Sequence, residues 1–319
     1  MSKKSITSAF LLFLTALIWG LAFVAQSEGM KTLGTYTFFA LRSFLALIFL
    51  LGMKSLKKIG KRNKKKSLTT DKANTQSKKD LIIAGAICGT AMFIATIAQQ
   101  NGLLYTTVGK SGFITALYIL LVPIFGLFLK KKVSPFMWLC VAIAISGMYL
   151  LCVSEASGVN KGDFYTLISA AFYAVQILTI DIYISKVDAV KLSFTQLGVG
   201  FLISSIFMLI FEHPTLAQIK GAIIPILYVG IFSSGIAYTL QITAQKNISP
   251  TVAALIMSFE SVFAAVFGWI ILSQSLSARE IFGCCLMFLA IILSELPIEK
   301  TAIAKKIKLK LDKTQNADV

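Results

Sequence analysis

Acidic residues and histidine are what this chain holds least of. Its 319 residues include 14 Asp and Glu against 31 Lys and Arg, and a single histidine. That histidine, His213, lies between Glu212 and Pro214 in a segment read as an outer loop, so it reads as a solvated side chain. The five cysteines, Cys88, Cys140, Cys152, Cys284 and Cys285, all fall in apolar segments. A thiol there behaves as a small hydrophobe, and the spacing suits neither a metal site nor a disulfide framework. No GxxxxGK[ST] phosphate loop occurs, which leaves ATP-driven work by this chain alone without support. An intramembrane aspartyl protease needs two buried Asp and a GxGD pattern. Residues 160–163 are Asn-Lys-Gly-Asp, and Asp163 reads instead as the N-terminal cap of the next helix. No nucleophile cluster, metal set or paired carboxylates point to an enzyme, and no cofactor is expected.

What the chain has in quantity is apolar length. It is 56% hydrophobic and 14% charged, with a mean hydropathy of +0.80, more than one soluble core absorbs. Reading it at ~20 apolar residues per bilayer-spanning helix gives ten segments, over residues 8–27, 34–53, 80–98, 108–129, 135–153, 163–184, 193–211, 219–241, 250–272 and 279–296. Lys3 and Lys4 ahead of the first segment resemble a signal peptide, but Ala22 and Ala25 stand three apart and make a poor cleavage pattern. The first segment is therefore read as a retained helix.

Positive charge gives the orientation. With both termini cytoplasmic, the inner segments collect Lys3 and Lys4, eleven Lys/Arg from Lys54 to Lys79, Lys130 to Lys132, Lys186, Lys191, Lys246 and the basic residues after position 297. The outer segments keep only Lys31, Lys110, Lys161, Lys220 and Arg279, and Arg42 lies inside a span. The formal charge of +17 is thus mostly a topology signal and gives little support to nucleic-acid binding. The loop 54–79 and the tail 297–319 are basic enough to touch anionic lipid. The expected location is a plasma membrane of the bacterial inner-membrane kind.

The chain also repeats itself. Residues 99–126 lie over 241–268, placing Gln99 on Gln241, Thr107 on Ser249, Gly112 on Ala254, Gly126 on Gly268 and Tyr118 on Glu260. Earlier, ALIWGLAFV at 16–24 lies over AAFYAVQIL at 170–178, which pairs Trp19 with Tyr173. Five spans followed by five spans put the second copy into the membrane from the opposite side, the inverted arrangement that suits alternating access. The expected fold is an all-α polytopic membrane protein with ten transmembrane helices in two inverted five-helix repeats. Its parts are an N-terminus at 1–7, a first repeat at 8–153, a second repeat at 154–296 and the tail.

Four stretches carry a family resemblance: WGLAFVAQ near the start, YTTVGKSGFITALYILLVPIFGLFLKKKVS at 105–134, GDFYTLISAAFYAVQIL at 162–178, and SSGIAYTLQITAQKNISPTVAALIMSFESVFAAVFGWIILSQSLS at 233–277. Together they resemble the drug/metabolite transporter superfamily, EamA-domain group, over nearly all of residues 8–296. The resemblance implies a ten-helix fold around a central cavity and carriage of small metabolites, often amino acids, commonly outward. Ile119 and Ser261 stand where family members often have proline, so no proline enforces a helix break there. Pro123 offers a kink in the first copy only.

Polar residues in spans face the interior or a water-filled cavity. Ser234, Tyr238, Gln241 and Gln245 recur along one helix face, Thr96 and Gln99 along another, and Ser169, Tyr173 and Gln176 along a third. Thr15 and Trp19 in the first span and Ser111, Thr115 and Tyr118 in the fourth add two more. The candidate substrate cavity is therefore Trp19, Thr96, Gln99, Thr115, Tyr118, Tyr173, Gln176, Ser234, Tyr238 and Gln241. The same residue types also hydrogen-bond helices together without any ligand. Glu260 is a carboxylate deep in an apolar run, at a cost on the order of 3 kcal/mol. It can titrate and couple transport to protons, bind a cationic group, or pair with Arg42, the other deep charge. The leading reading is a secondary carrier of a small polar metabolite, an amino acid or related compound. The alternatives are a drug or toxic-compound exporter, which calls for a less polar cavity, and a membrane scaffold that moves nothing.

Overall fold

The structure is a computed structural model and describes residues 3–60, 71–131, 133–152, 161–273 and 277–295. The tail 297–319, the middle of the basic loop and the expected junction between the repeats lie outside them. Every regular element among the described residues is a helix. In chain order these are α1 (Lys3–Gly29), α2 (Thr35–Gly60), α3 (Asp71–Leu103), α4 (Val108–Ala116), α5 (Tyr118–Phe128), α6 (Pro135–Cys152), α7 (Lys161–Tyr183) and α8 (Ala189–Phe211). Then come two short helices, α9 (Leu216–Gly221) and α10 (Ile223–Tyr228), a π-helical stretch Val229–Ala237, α11 (Tyr238–Gln245), α12 (Pro250–Met257), α13 (Glu260–Leu272) and α14 (Ala278–Glu295).

Eight of the resulting rods are long and apolar enough to cross a membrane: α1, α2, α3, α4 with α5, α7, α8, α10 through α11, and α12 with α13. The apolar part of α6, Pro135–Gly147, is shorter, and α14 packs beside α6. The eighth expected span starts later than the hydropathy suggested. Thr215 and Gln218 form a reciprocal cap that opens α9, this short helix ends at Gly221, and the membrane rod begins at Ile223. Asp163 sits in the first turn of α7, not before it, and there it pairs with Lys110 at 2.8 Å.

Two rods are broken at matching places. The α4–α5 rod breaks at Leu117 and the α12–α13 rod at Ser258 and Phe259, so Tyr118 and Glu260 each open the second half-helix. Neither break has a proline. The turns tighten instead: the Leu117 N–H donates to Ile114 O at 3.2 Å, and the Phe259 N–H donates to Ile256 O at 3.3 Å. In the second copy the hydroxyls of Ser258 and Ser261 also donate to the carbonyls of Leu255 and Ser258, at 2.7 and 2.9 Å. At this second break the carbonyls thus find partners inside the protein, as hydrocarbon surroundings demand.

Helix α1 runs through the middle, against α13, α11, α12 and the π stretch, while α3 packs along α7 and α8, and α2 along α8 and the π stretch. Close approach is permitted by glycine at two points used below. A Cβ on Gly20 would meet the Cβ of Phe263 at 2.2 Å, and one on Gly230 would meet Leu45 at 2.9 Å and the Arg42 carbonyl at 3.1 Å. Across the molecule, Glu212 beyond α8 accepts the N–H groups of Tyr36 and Thr37 at 3.1 and 2.7 Å, capping α2. Cys88 and Cys140 are buried and Cys285 is exposed, each as a free thiol.

The tight α1–α13 crossing yields a stability prediction. Gly20→Val should overpack it and lower stability by about 1–3 kcal/mol, read as a lower unfolding temperature in detergent, whereas Gly52→Val, at a position with open space around it, should have no such effect.

Candidate functional site

At the centre of the helices lies a small cavity lined by side chains from both halves of the chain. Each wall is built by one residue face of a helix. On α1, Trp19, Ala22, Phe23 and Gln26 recur at helical spacing, and on α7, Tyr173, Gln176 and Ile177 do the same. Gln99 comes from α3 and its repeat mate Gln241 from α11, while Tyr118 and Glu260 come from the starts of α5 and α13. Arg42 of α2, Ser233 of the π stretch, Tyr238 of α11 and Met257 of α12 complete the lining.

Seven of the ten residues expected at a cavity line it: Trp19, Gln99, Tyr118, Tyr173, Gln176, Tyr238 and Gln241. The other three stand one layer behind and hold liners in place. Thr96 shares a hydrogen bond of 3.0 Å with the Tyr173 hydroxyl, Thr115 accepts from Gln99 Nε2 at 3.1 Å, and Ser234 accepts from Arg42 Nε at 2.8 Å. Gln245, on the same sequence stripe as Gln241, turns away and donates to the Ile177 carbonyl at 3.1 Å. Gln26 and Ser233 were missed. Gln26 lies two helical turns beyond Trp19 on the same face, so extending that stripe finds it. Ser233 was invisible because a standard helix turns it away from Ser234.

The π winding is what brings both serines to Arg42. With i→i+5 bonding each residue turns the chain somewhat less than in an α-helix, which narrows the angle between neighbouring side chains, and here both serines reach the guanidinium. Arg42 Nη2 donates to Ser233 Oγ at 3.1 Å and Nη1 donates to Gln26 Oε1 at 2.9 Å. The Ser233 carbonyl also accepts the Trp19 indole N–H at 3.3 Å. The guanidinium, 3% exposed, stands 5.9 Å over the Phe39 ring. Gln26 is fixed in turn by Gln100 Nε2 at 3.3 Å, and Gln176 donates to Gln196 at 3.2 Å.

Glu260 is equally buried, at 4% exposure, and no ion pair joins it to Arg42. The ion pairs among the described residues are Lys31–Glu28, Lys110–Asp163 and Lys131–Asp181, all near rod ends. The Tyr118 hydroxyl lies against the Glu260 carboxyl, and Gln241 Oε1 is buried with no hydrogen-bond partner among the described residues. The cavity therefore presents a cation, a carboxyl, an amide oxygen and a phenol, with aromatic walls from Trp19 and Tyr238, whose rings lie 5.1 Å apart. Replacing both serines, in Ser233→Ala/Ser234→Ala, removes two of the three acceptors on a buried charge. The expected cost is about 1.5–3 kcal/mol per bond at most, measured as a drop in unfolding temperature larger than that of Ser55→Ala on the exposed end of α2.

The sequence profile described as the EamA-like transporter family matches residues 6–153 and again residues 160–296. A protein of Archaeoglobus fulgidus described as an uncharacterized transporter is 30% identical over 293 residues, covering 90% of this chain and 85% of that protein. A second relative, from Bacillus subtilis and described as uncharacterized transporter YoaV, is 22% identical over 284 residues, covering 86% and 92%. A solved structure described only as a crystal structure of protein superposes with a TM-score of 0.71 at 14% identity, over 91% of this chain and 96% of that one, which speaks to the fold alone. With a double family match, membrane-length helices and a polar core, this chain is an integral membrane protein that belongs to the EamA-like transporter family.

Proposed function

We propose that the protein is a secondary carrier that moves a small polar metabolite, an amino acid or related compound, outward by alternating access. The observation that carries this reading is the central cavity, whose polar liners come from matching positions of two sequence repeats. Trp19 and Tyr173, Ala22 and Gln176, Phe23 and Ile177, Gln99 and Gln241, and Tyr118 and Glu260 face it in pairs. Two inverted copies of one unit around a shared site allow each copy to take the other's conformation, which opens the site to one side and then the other. On this reading the membrane domain has ten helices, with α6 and α14 as the fifth of each repeat, and both termini lie in the cytoplasm. The broken rods α4–α5 and α12–α13 support it further, because a half-helix can swing at its break without stretching the whole rod. The polar lining favours a metabolite over a bulky apolar drug.

Glu260 is the residue we assign to proton coupling. A carboxyl at the midplane that meets water from either side in turn can carry a proton across. In proteoliposomes, accumulation of a labelled metabolite panel driven by an imposed pH gradient should occur with the native chain. It should fall to background with Glu260→Gln, while counterflow exchange continues. Gradient-driven flux that survives the substitution removes the coupling role, and a panel in which nothing moves overturns the carrier reading.

A further inference from the structure

The two buried charges say more about the cargo than the neutral liners do. Arg42 has five N–H groups, of which three are taken, each by a neutral oxygen: Nε by Ser234, Nη1 by Gln26 and Nη2 by Ser233. One N–H on each terminal nitrogen has no acceptor among the described residues. Neutral oxygens orient a guanidinium but do not neutralise it, and a charge held in this way within the bilayer core is expensive. Two terminal nitrogens held in one plane match the two oxygens of a carboxylate, the pairing for which arginine is better shaped than lysine.

Glu260 makes the complementary case. It lines the same cavity, belongs to no ion pair among the described residues, and sits at the first position of α13, where the helix N-terminus favours a negative charge. In the same lining, the Tyr118 hydroxyl, which lies against the Glu260 carboxyl, and Gln241 Oε1, buried with no hydrogen-bond partner among the described residues, are oxygens that a cationic N–H donor can use. Tyr238 lies within electrostatic reach of both Arg42 and Glu260, so the two charges share one chamber without touching.

The repeat shows that this polarity is not a by-product of symmetry. The liners that keep register between the copies are neutral, with Glu260 the exception. In the register that pairs Trp19 with Tyr173, Arg42 corresponds to Gln196, and Glu260 corresponds to Tyr118. Each charge thus appears in one copy only, the positive one in the first and the negative one in the second. A site with a guanidinium and an ionisable carboxyl leaves one group unmatched by a simple anion or a simple cation, and suits a ligand that carries both charges.

We propose that the cavity is a zwitterion site, in which Arg42 binds a carboxylate of the cargo and Glu260 binds its ammonium group. This rests on the carrier reading above and names the cargo as an amino acid in its dipolar form. It also supplies the exchange step. A proton and an ammonium group compete for one carboxylate, so Glu260 releases cargo when it takes a proton and releases the proton when it takes cargo. That is one-for-one exchange of proton against amino acid, with no bond made or broken beyond the O–H of Glu260.

The test is counterflow in proteoliposomes with an equimolar mixture of labelled protein amino acids. The best-exchanged member is then competed with its own carboxamide, which lacks the carboxylate, and its desamino acid, which lacks the ammonium. In the native carrier both analogues should compete on the order of tenfold or more worse than the amino acid. Arg42→Gln should erase discrimination against the carboxamide and keep it against the desamino acid. Glu260→Gln should do the reverse, and Arg42→Lys should keep part of the carboxylate preference. Unfolding temperatures of all three variants separate these effects from misfolding, and the native protein should be thermally stabilised by the amino acid but not by either analogue. Equal competition by the analogues in the native carrier, or exchange confined to uncharged or singly charged metabolites in a parallel panel, overturns the zwitterion site and leaves the carrier standing. No exchange of any compound overturns both.

Discussion

Arg42 is anchored by oxygens from two separate segments, Gln26 on α1 and Ser233 and Ser234 on the π stretch, and much of the central architecture follows from that requirement. A guanidinium in the apolar core must have its N–H groups turned toward acceptors. Meeting that demand brings α1, α2 and the π stretch to a common point, where two neighbouring serines of the π stretch both reach the guanidinium. Gly230 completes the arrangement by letting the π stretch lie against the backbone of α2. Ser233 in turn uses its carbonyl to hold Trp19, so a cavity wall is fixed by the same element that fixes the cation.

The wall formed by Tyr118 and Glu260 follows a different logic. Tyr118 and Glu260 owe their positions to helix breaks, and those breaks form without proline because the turns tighten to i→i−3 bonds and, in the second copy, serine hydroxyls take up carbonyls. A half-helix start inside the membrane offers partial positive charge where a carboxyl stands. The chamber is therefore electrically uneven: a guanidinium held by neutral dipoles at one place, a carboxyl at a helix start at another, and amides and phenols between them. Family membership follows from similarity over both halves of the chain, whereas the cargo must be argued from this unevenness, because one fold serves many cargoes.

Much of the site was legible before any coordinates. Trp19 and Tyr173, Gln99 and Gln241, and Tyr118 and Glu260 stood out because they are polar or amphipathic residues recurring at helical spacing and at matching positions of a repeat. Thr96, Thr115 and Ser234 carried the same signal yet stand behind the lining, because spacing names a helix face but not how far that face reaches. Ser233 gave no signal, since its place depends on a change of helical winding that hydropathy does not register. The helix breaks were hidden for a similar reason, as Ile119 and Ser261 removed the proline that marks such a break.

By itself the sequence determined that this chain lives in a membrane, that its helices repeat, and that a few polar residues and two charges are buried among them. These follow from apolar length, from periodicity and from the cost of a charge in hydrocarbon, all local or additive properties of the chain. Only the tertiary structure decided that Arg42 and Glu260 share a chamber without pairing, and that Arg42 is held by Gln26, Ser233 and Ser234. Such relations hinge on where distant segments cross and how each is wound. A difference of a few ångströms there separates a structural ion pair from two charges that each face the cavity alone.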